Sequence, residues 1–246
     1  MKPTVSIAIE TTCRTGGAAL GIGDALRDAV AFDASVRHAT QLISRLDELL
    51  RRAGRGPSDV DELYVSAGPG SFTGTRVAVT VARTMGQALP ELKCVAVPTM
   101  AATAENARDL PWENLGVILD ARQNCICAGL FARADGEIAS RRDPEVSTPA
   151  AFLAAAPRPL LLIGEGLAHH DLAGEGIEIG PAELHLPTAE GVWRVGRRMA
   201  RDGQFTDYLR ILPTYVRKPE ATRLWDRRHG GAEGSTPPSA QPKGRP

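Results

Sequence analysis

The sequence lacks an excess of charge of either sign. Lysine and arginine together total 29 residues, aspartate and glutamate also total 29, and the formal net charge at pH 7 is zero. Because nucleic-acid-binding domains are usually strongly basic, this balance argues against a basic nucleic-acid platform, although it leaves room for a local patch. A net charge near zero also favours association, which is typical of a protein that works with a partner.

Long apolar runs are also missing. The apolar stretch at residues 5–9 ends at Glu10, with only Lys2 ahead of it, so the start of the chain does not have the pattern of a secretion signal. The longest apolar region, residues 149–168, is interrupted by prolines and by Glu165, whereas a membrane-spanning helix needs about 20 consecutive apolar residues. We therefore expect a cytosolic protein without a membrane segment.

Several catalytic motifs are absent. No HExxH sequence occurs, and the position four residues after His38, where a second metal ligand on one helix face would stand, is Leu42. The nucleophile elbow GxSxG is missing, because the glycine after Ser71 is Gly74, one position late. The four cysteines fit neither a disulfide framework nor a paired CxxC zinc pattern. A protease or a zinc enzyme is therefore poorly supported.

A glycine-rich segment, residues 67–76, is the most informative part of the chain. It follows an apolar run at 63–65 and precedes a helical pattern at 77–89, so it predicts a corner between a strand and a helix. Pro69 and Gly70 fit the two central positions of a type II turn, where glycine supplies a positive φ.

Two interpretations of this corner remain open. In one, Ser71 or Thr73 caps the helix, and free backbone N–H groups near Gly70 bind an anion, as helix N-termini do. In the other, the corner is a tight turn that packs a helix on a sheet. A Walker A phosphate loop is excluded because no Lys-Ser or Lys-Thr pair follows the glycines.

The two halves of the chain open with the same pattern. In each half an apolar strand ends in an acid, turns and continues into a second apolar strand. The acids are Glu10 and Asp120. When these two residues are aligned, Leu20 aligns with Leu130. This repeat predicts a duplicated, two-lobed α/β protein. Either the two acids hold a magnesium ion between the lobes, or each caps the turn that follows it.

The order of the remaining patterns divides the chain into four parts. We predict an N-terminal lobe at 1–108, a second lobe at 109–205, a C-terminal segment at 206–226 that packs back on the first lobe, and a disordered polar tail at 227–246. The predicted helices cover residues 38–53, 74–89, 99–108 (with Thr99 as its cap) and 188–201. The predicted strands in the same regions include residues 63–66, 94–97 and 160–163.

Several motifs together resemble the bacterial TsaB (YeaZ) family. The GPGSFTG-x-R corner at residues 68–76 is close to diagnostic, and the other motifs, which are weak individually, occur in the family's order. Those motifs are Ile9–Thr12, His38, Val97–Thr99, Asp120–Arg122 and Pro213–Ala221.

The resemblance implies the two-lobed actin-like ATPase (ASKHA) fold, with duplicated mixed sheets flanked by helices. It also implies a role in making N6-threonylcarbamoyladenosine (t6A) in tRNA, as a non-catalytic subunit that dimerises with and activates a metal-dependent threonylcarbamoyl transferase, TsaD. The small ATPase TsaE and tRNA are implied as further partners in that complex. No cofactor or metal is expected for the chain itself, and binding of ATP or ADP at the partner interface is left open.

The resemblance places the partner interface on the first two helices. The 74–89 helix carries a stripe of small residues, which allows close approach of either a partner helix or the protein's own elements, and spacing does not decide between them. Arg76 is a candidate for an ion pair with the partner or with a nucleotide phosphate, the alternative being a local pair with Glu10 or Asp61. The predicted interface residues are His38, Leu42, Phe72, Arg76, Val77, Ala78, Val81, Ala82 and Met85.

Two other functions remain open at this stage. The first is a nucleotide hydrolase, or a peptidase in keeping with the old M22-type glycoprotease label of the family, that acts through the cleft between the lobes with Glu10, Asp120 and His38. The second is a homodimer that forms through the same helices and competes with the heterodimer for one surface.

Overall fold

The computed structural model describes residues 2–33 and 38–216, and a five-stranded mixed sheet forms the first part of the fold. Its strands are β1 (Val5–Glu10), β2 (Thr15–Ile22), β3 (Ala25–Asp33), β4 (Glu62–Ser66) and β5 (Lys93–Val97). They lie in the order β3-β2-β1-β4-β5. The central strand β1 is antiparallel to β2 and parallel to β4.

A second five-stranded sheet repeats this arrangement. Its strands are β6 (Asn114–Asp120), β7 (Ile126–Ala134), β8 (Glu137–Ser147), β9 (Leu160–Ile163) and β10 (Ile177–Ile179). They lie in the order β10-β9-β6-β7-β8, with β6 antiparallel to β7 and parallel to β9. Because β6 to β10 pair in the same way as β1 to β5, the predicted duplication is confirmed.

The strand register corrects one detail of the repeat. In the first sheet Leu20 pairs with the residue three positions before Glu10. In the second sheet the residue three positions before Asp120 pairs with Gly129. The alignment of Leu20 with Leu130 was therefore wrong by one residue, because the turn after Asp120 is one residue shorter.

Within the described residues, five α-helices connect and cover the strands. They are α1 (His38–Arg52), α2 (Phe72–Ala88), α3 (Thr99–Ala104), α4 (Pro149–Ala155) and α5 (Ala189–Arg201). Thr188, where the predicted helix 188–201 begins, is the N-cap of α5, and its hydroxyl oxygen accepts the backbone N–H of Gly191 at 3.1 Å. Among the described residues, no helix has both the length and the apolar character that crossing a bilayer requires.

Helices cover both faces of the first sheet. Successive residues of β1 point to opposite faces, as in any strand. Ile7 and Ile9 pack in the layer that contains α1 and α2, whereas Ala8 packs in the layer that contains α5. The core of this part of the fold therefore consists of two layers, one on each side of the sheet.

The α5 helix follows the second sheet in sequence but packs on the first. The indole N–H of Trp193 donates to the hydroxyl of Ser6 in β1 at 2.9 Å. Gly196 has no side chain, and the ring of Tyr64 in β4 occupies the space that a side chain would fill. The predicted boundary between the lobes at residues 108–109 stays a prediction. The α5 helix lies in the sequence range of the predicted second lobe but packs on the sheet of the first.

The last part of the described chain, residues 205–216, lies along β5 and α2, and we call it the C-terminal strap. The backbone N–H of Thr206 donates to the carbonyl of Cys94 in β5 at 2.8 Å. The guanidinium of Arg83 in α2 donates to two strap carbonyls at 2.9 and 3.2 Å. The rest of the predicted C-terminal segment and the predicted tail, residues 217–246, fall outside the described residues.

Candidate functional site

The glycine-rich corner joins β4 to α2, as predicted. Ser71 is the N-cap of α2, and its hydroxyl oxygen accepts the backbone N–H of Gly74 at 3.3 Å. The predicted type II turn was wrong, because the positive φ, 101°, is found at Gly68 and not at Gly70. The carbonyl of Thr214 in the strap lies against Gly68 and leaves no room for a side chain there.

Thr99 holds the same corner from the start of α3. The backbone N–H of Gly68 donates to the Thr99 hydroxyl oxygen at 3.1 Å, and the backbone N–H of Thr99 donates to the Gly68 carbonyl at 2.9 Å. The N-cap position of α3 is occupied by Pro98, so the prediction that Thr99 caps this helix was wrong. These reciprocal bonds instead join two of the sequence motifs to each other.

The glycines of the corner make room for the chain's own backbone. A side chain at Gly70 would meet the carbonyl of Thr12, and one at Gly74 would meet the carbonyl of Thr11. The Thr12 carbonyl also accepts the backbone N–H of Ser71 at 2.6 Å, so this N–H is used inside the protein. The geometry favours the tight-turn interpretation, and anion binding at this helix end stays a prediction.

Glu10 is completely buried at the end of β1. Its Oε1 accepts the hydroxyl of Thr12 at 2.6 Å and also the Thr12 backbone N–H, while its Oε2 accepts the hydroxyl of Ser66 in β4. Burial raises the pKa of Glu10, and the hydrogen bonds from Ser66 and Thr12 oppose this rise only in part. The carboxyl group therefore ties β1 to β4 and to the turn that follows β1.

Asp120 occupies the corresponding place at the end of β6. Its Oδ1 accepts the backbone N–H of Arg122 at 2.8 Å and lies 3.0 Å from Nε2 of His170. Partial burial raises the pKa of Asp120, but the hydrogen bonds from Arg122 and His170 outweigh it, and the pKa lies below its ordinary value. Glu10 and Asp120 thus each cap the turn that follows them, which is one of the two interpretations of the repeat.

His170 was not identified from the sequence as the partner of Asp120. The two residues are 50 positions apart, and the parallel pairing of β6 with β9 brings the segment after β9 to the end of β6. Glu165 lies in the same segment, and burial together with the negative charge of Asp120 raises its pKa. Within residues 2–33 and 38–216, no three histidine, cysteine, aspartate or glutamate side chains are placed to hold a metal ion.

The lowered pKa of Asp120 predicts an acid-dependent contribution to stability. Because the folded state favours the carboxylate, this contribution is complete above the ordinary pKa of 3.8 and is lost as the pH falls through the lowered pKa. We expect Asp120→Asn to reduce the free energy of unfolding by about 1 kcal/mol at pH 7. In urea unfolding, the difference from the wild type should shrink below the ordinary pKa, and a difference that is constant with pH would contradict the assignment.

Burial divides the predicted interface residues into two groups. Leu42, Ala78 and Ala82 are fully buried in the core between the sheet and the helices, so their prediction as interface residues was wrong. The small side chains instead allow α2 to lie close to the sheet. His38 begins α1, but its side chain is outside the described part of the structure. The predicted residues with an exposed or partly exposed side chain are Phe72, Arg76, Val77, Val81 and Met85.

Ile43 on α1 also has an exposed apolar side chain and was missed in the sequence analysis. Its side chain is 57% exposed, and that of Phe72 at the start of α2 is 40% exposed. The sequence contains a signal for Ile43, because it is an apolar residue outside the buried stripe of an amphipathic helix. We refer to the exposed and partly exposed residues named so far on α1 and α2, together with the exposed Thr73, as the outer helical face. They are Ile43, Phe72, Thr73, Arg76, Val77, Val81 and Met85.

A cluster of three side chains lies where α2 begins. The rings of Phe72 and Tyr215 stack with centroids 5.1 Å apart. The guanidinium of Arg76 lies 3.8 Å over the Phe72 ring, and its Nε donates to the Tyr215 hydroxyl at 3.1 Å. The alternative, a local ion pair of Arg76 with Glu10 or Asp61, is not formed. Glu10 accepts hydrogen bonds from Thr12 and Ser66, and Asp61 accepts a backbone N–H of β1 at 2.7 Å.

Two mixed sheets with the same strand order, each flanked by helices and each ending its central strand in a turn-capping acid, define a protein of the actin-like (ASKHA) class. A protein-family model for TsaD, described as tRNA N6-adenosine threonylcarbamoyltransferase, matches residues 32–204. The chain belongs to the family of this model and, within it, to the TsaB (YeaZ) family.

Similar proteins agree with this placement. The chain is 26% identical over 227 residues to the tRNA threonylcarbamoyladenosine biosynthesis protein TsaB of Bacillus subtilis, covering 89% of this chain and 96% of that protein. It is 26% identical over 192 residues to TsaB of Escherichia coli, covering 73% and 80% of the two chains. The solved structure of YeaZ from Pseudomonas aeruginosa shares the fold, with a TM-score of 0.73 and 23% identity over 86% of this chain and 99% of that one.

Proposed function

We propose that this chain is the non-catalytic partner subunit of a t6A synthesis complex, which dimerises with the metal-dependent threonylcarbamoyl transferase TsaD and activates it. In this proposal TsaE and tRNA join through the complex, and any ATP or ADP binds at the partner interface. Support comes first from the relatives, which are named as t6A biosynthesis proteins.

The observation that carries the proposal is the outer helical face. Ile43 and Phe72 expose large apolar side chains on two adjacent helices of one sheet face, and apolar and aromatic residues are what fully buried interface cores contain. Two further side chains of α2, Val77 and Val81, are only partly covered by the core. A partner surface that covers both helices would bury these apolar side chains.

A second candidate function is hydrolysis in the cleft between the sheets, and one observation favours it. Asp120 and His170 form a carboxylate–imidazole pair at 3.0 Å, a combination that also serves general acid–base catalysis. The related Pseudomonas aeruginosa structure with a TM-score of 0.75 is described as an uncharacterized protein with similarity to the peptidase YEAZ. Against this candidate, Glu10 is fully buried and both of its oxygens accept internal hydrogen bonds.

The test is reconstituted transfer of the threonylcarbamoyl group to tRNA. The adenylate-forming enzyme, TsaD and TsaE of the source organism are combined with or without this chain, and modified adenosine is measured. We expect modification to require the chain, while the chain alone leaves ATP unchanged. Modification at the same rate without the chain would reject the proposal. ATP or peptide hydrolysis by the isolated chain that is lost in Asp120→Asn would establish the second candidate.

A surface variant locates the interface. We expect Ile43→Glu to weaken binding to TsaD at least about tenfold, because the partner would have to bury a carboxylate against apolar side chains. The matched control is Ile179→Glu on the edge strand β10, where the isoleucine is 44% exposed and binding should equal that of the wild type. Calorimetric titration of both variants checks this, and equal affinities would move the interface away from α1.

A further inference from the structure

We propose that Tyr215 of the C-terminal strap is a positioning residue for partner binding, which holds Phe72 and Arg76 in the arrangement that the partner recognises. This inference rests on the function proposed above, in which the outer helical face binds the transferase. It adds a segment far away in sequence to that face, since Arg76 and Tyr215 are 139 positions apart.

The strap is fixed to the protein directly beside Tyr215. The backbone N–H of Thr214 donates to the carbonyl of Ala67 at 2.7 Å, and the Thr214 carbonyl lies against Gly68 in the corner. Ile211 is completely buried in the core of the first sheet. Tyr215 therefore approaches α2 from a segment whose backbone position is already determined.

Tyr215 makes two different contacts with the start of α2. Its ring stacks on Phe72 with an angle of 30° between the planes, and its hydroxyl accepts the Nε–H of Arg76. Arg76 in turn covers the other ring, that of Phe72. Phenylalanine and arginine on the exposed side of a helix would otherwise sample several rotamers, and ordering them on binding lowers affinity. Tyr215 orders both side chains before the partner arrives.

The same contacts indicate the chemistry of the partner. Beside the cluster lies a groove of about 340 Å³. The residues that line it are Phe72, Thr73, Arg76, Val77, Thr80 and Val81. Among the described residues, Arg76 donates a hydrogen bond through Nε and forms no ion pair. A partner helix that places a carboxylate next to apolar side chains would pair with the terminal nitrogens of Arg76 and fill the groove.

The experiment is a double-mutant cycle on binding to TsaD, measured by calorimetric titration with the full chain. We expect Tyr215→Phe, which keeps the stacked ring, to weaken binding about fivefold. Arg76→Ala should weaken it about tenfold or more. Because the Tyr215 hydroxyl acts through Arg76, the double variant should bind no more weakly than Arg76→Ala alone. The control is Tyr208→Phe, a strap tyrosine packed on Gly86, which should bind like the wild type.

Each outcome decides the inference. If Tyr215→Phe and Tyr208→Phe lose thermal stability to the same extent and bind TsaD with the same affinity, then Tyr215 is only structural. That result would overturn the inference. Losses that add in the double variant would also overturn it, because Tyr215 would then act independently of Arg76. If the wild-type chain binds TsaD and Tyr215→Phe binds equally well, the inference fails and the proposed function stands. If the wild-type chain does not bind TsaD, both fail.

Discussion

Glu10→Ala is expected to lower the free energy of unfolding by about 3 kcal/mol. The substitution removes the acceptor of three internal donors, namely the backbone N–H and hydroxyl of Thr12 and the hydroxyl of Ser66. The two hydroxyls can rotate toward other acceptors, but the backbone N–H cannot, and the shortened side chain leaves a cavity in a site that is completely buried. Urea unfolding at pH 7 measures the loss.

Glu10→Gln is the matched control, and we expect it to raise the free energy of unfolding at neutral pH instead of lowering it. Its amide keeps the size of the carboxyl group, can accept from Thr12 and can donate to Ser66. Because the folded state raises the pKa of Glu10 above 4.5, the wild-type stabilisation is complete below the ordinary pKa. It decreases by about 1.4 kcal/mol per pH unit as the pH rises toward the raised pKa.

Glu10→Gln should therefore match the wild type near pH 4 and exceed it in stability at neutral pH. The measurement is the difference in unfolding free energy between the two proteins across this range. A difference that does not change with pH would mean that the carboxyl group ionises equally easily in the folded and unfolded chains. A loss in Glu10→Gln as large as that in Glu10→Ala would mean that the charged form is required.

Gly74→Ala is the second substitution with a large expected effect, a loss of about 3 kcal/mol. A methyl group at Gly74 would overlap the backbone carbonyl of Thr11, and a backbone carbonyl cannot move aside as the end of a flexible side chain can. The turn after β1 and the start of α2 would have to separate. Alanine is the better helix former, so helix propensity alone predicts the opposite sign, a gain of about 1 kcal/mol.

Gly56→Ala separates the clash from the general effect of replacing glycine. A methyl group at Gly56 would have no neighbour within 4 Å, and we expect a change within about 0.5 kcal/mol. Thermal unfolding of both variants provides the comparison. If Gly74→Ala melts at the same temperature as Gly56→Ala, the close packing of the corner against the Thr11 turn would be refuted.

Much of the fold follows from local signals in the sequence. The glycine-rich segment identified the corner and Ser71 identified the cap, because turn chemistry and capping act over a few residues. The matching patterns that end in Glu10 and Asp120 identified the duplication, because a strand that ends in a turn-capping acid is itself a local feature. These signals located most of the elements, but β3, β8, β10 and α4 were not predicted from the sequence.

The candidate site depended on contacts that local patterns do not contain. The small residues Ala78 and Ala82 suit a close contact with either a sheet or a partner, and only the position of β4 decides that they are buried. The positive φ lies at Gly68 and not at the expected Gly70, and Gly68 is the glycine against which the strap, from a distant part of the sequence, packs. His170 and Tyr215 were missed for the same reason, since each contacts a residue that is distant in sequence.

The packing of α5 has a consequence for synthesis on the ribosome. Once β5 has left the exit tunnel, all five strands of the first sheet are available, but the face that receives Trp193 is still uncovered. At 5–20 residues per second, the chain through Arg201 needs roughly 5–20 s more to emerge from the tunnel. During that interval the nascent chain exposes an apolar sheet surface, of the kind that chaperones bind, until α5 has emerged and covers it.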